Sequence, residues 1–197
     1  MTEVTEVTTR RRGNPDSATR QRMLEAAARL MVEEGHAAVT TRRIAQELGV
    51  TAPLVHYYFD SMEELFVELL EVIAAENLER QRLALATPDP VSALWKLASH
   101  PAGAAANTEF ASLATRSPRI RAAIATHAAT FRRAQIDTLT DRAEQGEIDL
   151  DPSEVDGLVV LLTSLGRIIA QEHELGISLG HREARAALAR LVGTPLR

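Results

Sequence analysis

Between positions 40 and 59 the chain reads Thr40-Thr41-Arg42-Arg43-Ile44-Ala45-Gln46-Glu47-Leu48-Gly49-Val50-Thr51-Ala52-Pro53-Leu54-Val55-His56-Tyr57-Tyr58-Phe59. Hydroxyls, two adjacent guanidinium groups, an imidazole and two phenols in so short a stretch are the groups that hold phosphate oxygens and meet base edges. Thr51, Ala52, Pro53 and His56 fall at the start and on the outer side of a short helix, the part that faces bases when such a helix enters a major groove. Thr40, Arg42, Arg43, Tyr57 and Tyr58 are placed to hold the backbone, although Tyr57 could equally touch a thymine methyl. A plainer reading makes Tyr57, Tyr58 and Phe59 core aromatics and Arg42-Arg43 a solvated face; Phe59 is expected in the core.

These side chains are positioned by two helices of about two turns each joined by a tight turn, the spacing of a helix-turn-helix at 40–59. Ala45 is small enough for a steep crossing, and Gly49 can take the positive φ that the turn needs. Ile44, Leu48, Val50 and Val55 would form the small core. Pro53 is tolerated because an amide so close to a helix start has no helical partner. A preceding helix is capped by Asp16 or Ser17, repeats Met23, Leu24, Ala27, Leu30 and Met31 at helical intervals, and stops at Gly35. Ser61-Met62-Glu63-Glu64 is a capping box that opens a long helix to about Leu85. Further helices are expected at about 90–99, 103–116, 118–145, 152–175 and 181–192, so the chain reads as all-α with about nine helices.

The formal net charge of −5 speaks against nucleic acid only until its distribution is considered. Arg10 to Asp60 carries eight Arg against six acids, whereas Ser61 onward carries fourteen Lys or Arg against nineteen acids. A basic head on an acidic body suits a phosphate-binding surface at one end. The Arg10-Arg11-Arg12 run could enter a minor groove, or could be a soluble tail. With no cysteine there is neither disulfide nor thiolate metal site. No paired carboxylates, nucleophile with a base, or metal cluster points to an enzyme or a cofactor. Glu172-His173-Glu174 lacks the i, i+4 His pair of a zinc helix. Asp156 and Arg167 interrupt the longest apolar stretch, Val155 to Ala170, and no apolar segment follows Met1-Thr2-Glu3. A cytoplasmic protein with no membrane partner is the expectation.

The order Arg20-x-x-Met23-Leu24-Glu25-Ala26-Ala27, Glu34-Gly35, Ile44-Ala45, Leu48-Gly49-Val50-Thr51, Tyr57-Tyr58-Phe59 and Ser61, Glu63, Glu64, Leu65 resembles the N-terminal domain of the TetR family of bacterial transcriptional regulators. The likeness runs from Arg20 to about Leu70, and beyond it only the helical plan is shared. The family commonly has Tyr at His56, His at Tyr58, and Lys at Ala52 and Met62; both lysines typically serve DNA, so affinity here must lean more on Arg and the tail. The resemblance implies a flexible basic tail at 1–15, a DNA-binding domain at 16–77, and a ligand-binding and dimerisation bundle at 78–197. It also implies a homodimer on a palindromic operator in double-stranded DNA, acting as a repressor that a small apolar or amphipathic effector releases. A constitutive DNA-binding protein with a solid, ligand-free bundle is the rival.

Within the bundle, apolar walls with a few polar groups suit a ligand pocket, for which Trp95, Asn107, Phe110, His127, Phe131, Thr163 and Arg167 are candidates. The stripe Val155, Leu158, Leu162, Leu165 and Ile169, widened by Val159, Leu161 and Ile168, exceeds what one face of a monomeric helix needs. With Leu188 and Leu191 of the last helix it fits the four-helix dimer interface that the resemblance implies; the alternative is that both stripes are internal core.

Overall fold

The computed structural model describes residues 17–196. Asp16, the tail at 1–15 and its Arg10-Arg11-Arg12 run lie outside the described residues. Among the described residues there are nine α-helices and no strand, the all-α architecture that the periodicity predicts. The chain divides into two compact units between Glu68 and Leu69, inside the fourth helix; the expected boundary at 77/78 lies further along that helix.

The first unit holds α1 (Ala18–Glu34), α2 (Thr41–Leu48), α3 (Ala52–Tyr58) and the opening turns of α4 (Met62–Leu85). Ser17 caps α1 by accepting from the Arg20 amide, and Gly35 ends it. Met23, Leu24, Ala26, Ala27, Leu30 and Met31 line its buried face, as the three- and four-residue spacing requires. Thr40 caps α2, and Gly49 closes it in the left-handed conformation at φ 65°. A Cβ at 49 would meet nothing within 4 Å, so backbone conformation rather than crowding demands glycine there. Ile44, Ala45, Val55, Phe59 and Leu65 are buried, while Leu48 and Val50 are half-buried at the edge of this core. In the α4 capping box the Ser61 hydroxyl accepts from the Glu64 amide at 3.0 Å. The Glu64 carboxylate accepts from the Asp60 amide at 2.8 Å, one residue earlier than in the usual box.

The second unit comprises the rest of α4, then α5 (Pro90–Ala98), α6 (Pro101–Ala114), α7 (Pro118–Glu144), α8 (Val155–Glu174) and α9 (His181–Leu191). Pro90, Pro101 and Pro118 each open a helix, where the missing amide hydrogen has no helical partner. Pro101 therefore starts α6 two residues before the expected 103, and Pro152–Glu154 forms a 3₁₀ turn ahead of α8. α8 packs against α5, α6, α7 and α9 and is the central helix of this unit. Gly166 makes the crossing with α5 possible, since a Cβ there would lie 2.9 Å from Ala98 Cβ. Trp95, Leu94, Val155, Val159, Leu162 and Leu188 fill the core, and Val192 and Leu196 complete it from the C-terminal segment. Among the described residues no helix is long and apolar enough to cross a membrane.

Candidate nucleic-acid interface

Val55 anchors α3 in the core of the first unit, and that single inward residue decides what the rest of the helix presents. Pro53, His56 and Tyr57, three and four positions apart, share a face and are exposed, with Tyr57 at 51%. Thr51 stands exposed at the N-cap and its side chain makes no capping bond, so its hydroxyl is not held by the helix. Ala52 and Tyr58 are half-buried. The two tyrosine rings meet edge to face, 5.3 Å between centroids and 83° between planes, which braces the Tyr57 ring while leaving it in solvent. A hydroxyl, an imidazole and a phenol thus project from one short helix, an arrangement suited to base edges and phosphates.

The two arginines of α2 differ sharply. Arg42 is exposed and makes no ion pair among the described residues. The Arg43 guanidinium bonds Glu34 at the end of α1 (2.6 Å from Nη2) and Glu47 one turn on (3.0 Å from Nη1). The hydrogen bond it donates to Glu34, then that to Glu47, raises its pKa above the ordinary arginine value. Any phosphate would have to compete with two carboxylates for this fork, so Arg43 braces α2 against α1. The i, i+4 spacing of Arg43 and Glu47 was visible in the sequence; the reach to Glu34 was not. Thr40, exposed, accepts from the Arg43 amide at its hydroxyl oxygen, 3.1 Å away.

In the second unit the seven pocket candidates do not converge. Trp95 and Phe110 are buried, His127, Phe131 and Thr163 half-buried, and Asn107 and Arg167 exposed. Trp95 is part of the packed core, with the Arg185 guanidinium 5.8 Å from its ring centroid. The Thr163 hydroxyl donates to the Val159 carbonyl of its own helix at 2.7 Å. A cavity of about 530 Å³ lies elsewhere, with Leu78, Gln81, Leu85 and Ala86 of α4 and Ala134 and Thr138 of α7 in its walls, and none of the seven lines it. Beside it Gln81 donates to the Phe131 carbonyl (3.1 Å) and accepts from the Gln135 amide (2.7 Å), a buried pair linking α4 to α7. Arg142 continues the link by donating to the Leu85 and Thr87 carbonyls at the end of α4. Pairings between residues some fifty positions apart leave no periodic signal in the sequence.

The interface candidates are also redistributed. Val155, Leu158, Leu162, Ile169 and Leu188 are buried in the core of their own chain, and Leu165 packs against that core half-buried. The reason is that α8 has four helical neighbours, so the stripe judged surplus is used internally. Leu191 remains exposed, as do Val160, Leu161 and Ile168 on α8 and Leu175, Ile177 and Leu179 in the turn that follows. Leu161 and Ile168, seven residues apart, share a face.

Residues 23–69, which span most of the first unit, match the family described as bacterial regulatory proteins, tetR family. The HTH-type transcriptional regulator BetI of Rhizobium meliloti is 30% identical over 122 residues, 57% of this chain and 60% of that protein. The chain thus spans about 60% of the length of that curated relative. A putative transcriptional regulator from Saccharomonospora viridis, solved in complex with choline, superposes with a TM-score of 0.71 at 23% identity, over 89% of this chain and 95% of that one. The multidrug binding protein EbrR, complexed with imidazole, gives a TM-score of 0.62 at 25% identity, over 91% and 98% of the two chains. Motif order, helix-turn-helix geometry and these likenesses agree that residues 23–69 are similar to the tetR family of bacterial regulatory proteins.

Proposed function

We propose that the protein is a sequence-specific DNA-binding transcriptional regulator, a homodimer that represses from a palindromic operator and is released by a small apolar or amphipathic molecule. The observation that carries the DNA reading is α3 itself, which buries Val55 and turns Thr51, Pro53, His56 and Tyr57 to solvent beside Arg42, which has no ion pair among the described residues. One such helix offers few base contacts, and two-fold symmetry doubles them on a palindrome. Support for the dimer comes from the exposed Leu161, Ile168 and Leu191, apolar residues on the last two helices that the chain's own core leaves in solvent.

Support for a ligand comes from the cavity between α4 and α7, whose volume of about 530 Å³ and mixture of leucine and alanine walls with Gln81, Thr138 and the charged Glu79 and Arg82 suit a small amphipathic molecule. The choline and imidazole complexes belong to relatives and establish no chemistry for this cavity. α4 is one helix from the Ser61 box to Leu85, so a ligand that shifts its far half acts on the helix that begins next to α3. A preference of about 1–3 kcal/mol for the misfit state lowers DNA affinity 5- to 150-fold, and DNA weakens the ligand by the same factor.

The test is selection of duplexes from random-sequence DNA by the purified protein, followed by titration of fatty acyl, aromatic and steroid-like compounds against the complex. A recovered inverted repeat and a compound that weakens binding are expected. Recovery of no common sequence would overturn the DNA reading. A recovered site that no compound affects would replace ligand release by constitutive binding.

A further inference from the structure

Arg20 projects from the first turn of α1 and is almost out of solvent, its side chain 11% exposed. It forms an ion pair with Glu68 on the second turn of α4, and its guanidinium carbon lies 4.9 Å from the ring centroid of Phe59. Phe59 is the C-cap of α3, buried to 2% exposure. One planar cation therefore touches, from α1, both the residue that ends the base-facing helix and the opening of the helix that follows it. Nearby, the Thr41 hydroxyl reaches the Met62 sulfur at 3.6 Å, a weak restraint.

Stability alone accounts poorly for this choice of residue. Taking a guanidinium from water is costly and is offset only when its donors are satisfied, yet the buried Arg20 Nε has no acceptor among the described residues. An apolar side chain would fill the space against Phe59 without that penalty. What arginine adds is direction, because a flat fork paired with a carboxylate has one orientation and stacks on an aromatic face, which lysine cannot reproduce.

We infer that Arg20 is a positioning residue for sequence readout, setting the orientation of α3 through Phe59 and Glu68 without itself touching DNA. The inference rests on the DNA reading given above. It follows that Arg20→Ala and Glu68→Gln, which change the net charge in opposite directions, damage binding in the same direction. The affinity ratio between the selected duplex and a scrambled duplex of equal length falls about tenfold in each, the cost of one poorly met base contact. The slope of log affinity against log salt stays at the wild-type value, since no phosphate contact is lost. Arg20→Lys, which keeps the ion pair and loses the fork, lies between.

Binding of the full chain to both duplexes is measured by fluorescence anisotropy across a salt series, at a temperature where circular dichroism shows each protein folded; if Arg20→Ala does not fold, Glu68→Gln and Arg20→Lys carry the test. A reduced ratio with an unchanged slope and partial rescue by lysine is the expected result. An unchanged ratio in the folded variants overturns the positioning role, and a slope reduced by about one in Arg20→Ala makes Arg20 a phosphate contact instead. A wild-type protein that selects no duplex overturns the DNA reading and this inference together, whereas a wild type that selects one beside insensitive variants overturns the inference alone.

Discussion

Leu161 and Leu162 are neighbours on α8 with opposite fates: 51% of the first is exposed and 3% of the second. Leu162→Ala empties space in the core shared with Trp95 and Val159, a change that costs ~2–5 kcal/mol. At ~2–4 °C per kcal/mol for a chain of this size, the melting temperature should fall by roughly 4–20 °C. Leu161→Ala removes a side chain that touches little of its own chain and should change the stability of a dilute monomer by no more than about 0.5 kcal/mol. Leu161→Glu tests assembly. In a two-fold dimer each copy sets an unpaired carboxylate against the other's apolar face at ~3 kcal/mol or more, and the symmetric pair, at ~6 kcal/mol, weakens association roughly 10⁴-fold. Light scattering on a dilution series should report a folded monomer for Leu161→Glu, with a far-ultraviolet spectrum like that of the wild type. A Leu161→Glu protein that remains dimeric at micromolar concentration refutes the assignment of this face. A Leu162→Ala protein that melts with the wild type refutes the division between inner and outer leucines on which the reasoning depends.

Arg42→Ala should weaken binding to every duplex and lower the salt slope by about one, as loss of one phosphate contact requires, whereas Arg43→Ala, already neutralised by Glu34 and Glu47, should lower thermal stability and leave the slope near wild type. Gly166→Ala brings a methyl to within 2.9 Å of Ala98 Cβ at the α5–α8 crossing and should cost ~1–3 kcal/mol in urea unfolding; an unchanged midpoint would show that this crossing yields freely. At Asp89, burial pushes the carboxyl up, but the hydrogen bonds from Ser92 and Thr194 and the charge of Lys96 together hold it below its ordinary value. A depressed carboxyl stabilises the fold above the ordinary aspartate value, and that contribution is lost as pH falls through the lowered one. The urea midpoint of wild type should therefore exceed that of Asp89→Asn at neutral pH, and the two should converge in acid.

The local features of the first unit could be read from the sequence because their causes are local. Ser17, Thr40 and Ser61 satisfy amides three residues away, Gly49 takes a positive φ that other residues resist, and the spacing of Met23, Ala27, Leu30 and Met31 marks one face of α1. The same rule placed Val55 inward and therefore Pro53, His56 and Tyr57 outward. Tertiary structure alone decided which surface each apolar or charged group would meet. Periodicity showed that α8 is apolar around more than half its circumference, but the stripe that goes to the chain's own core depends on four neighbouring helices arriving from distant parts of the sequence. Arg43 looked as available as Arg42 until Glu34 came within reach, and nothing in their order linked Gln81 to Gln135 or Arg20 to Glu68. Helix formation and capping are settled within a turn of chain, whereas the partners of a buried polar group are settled by packing, which adjacent residues do not record.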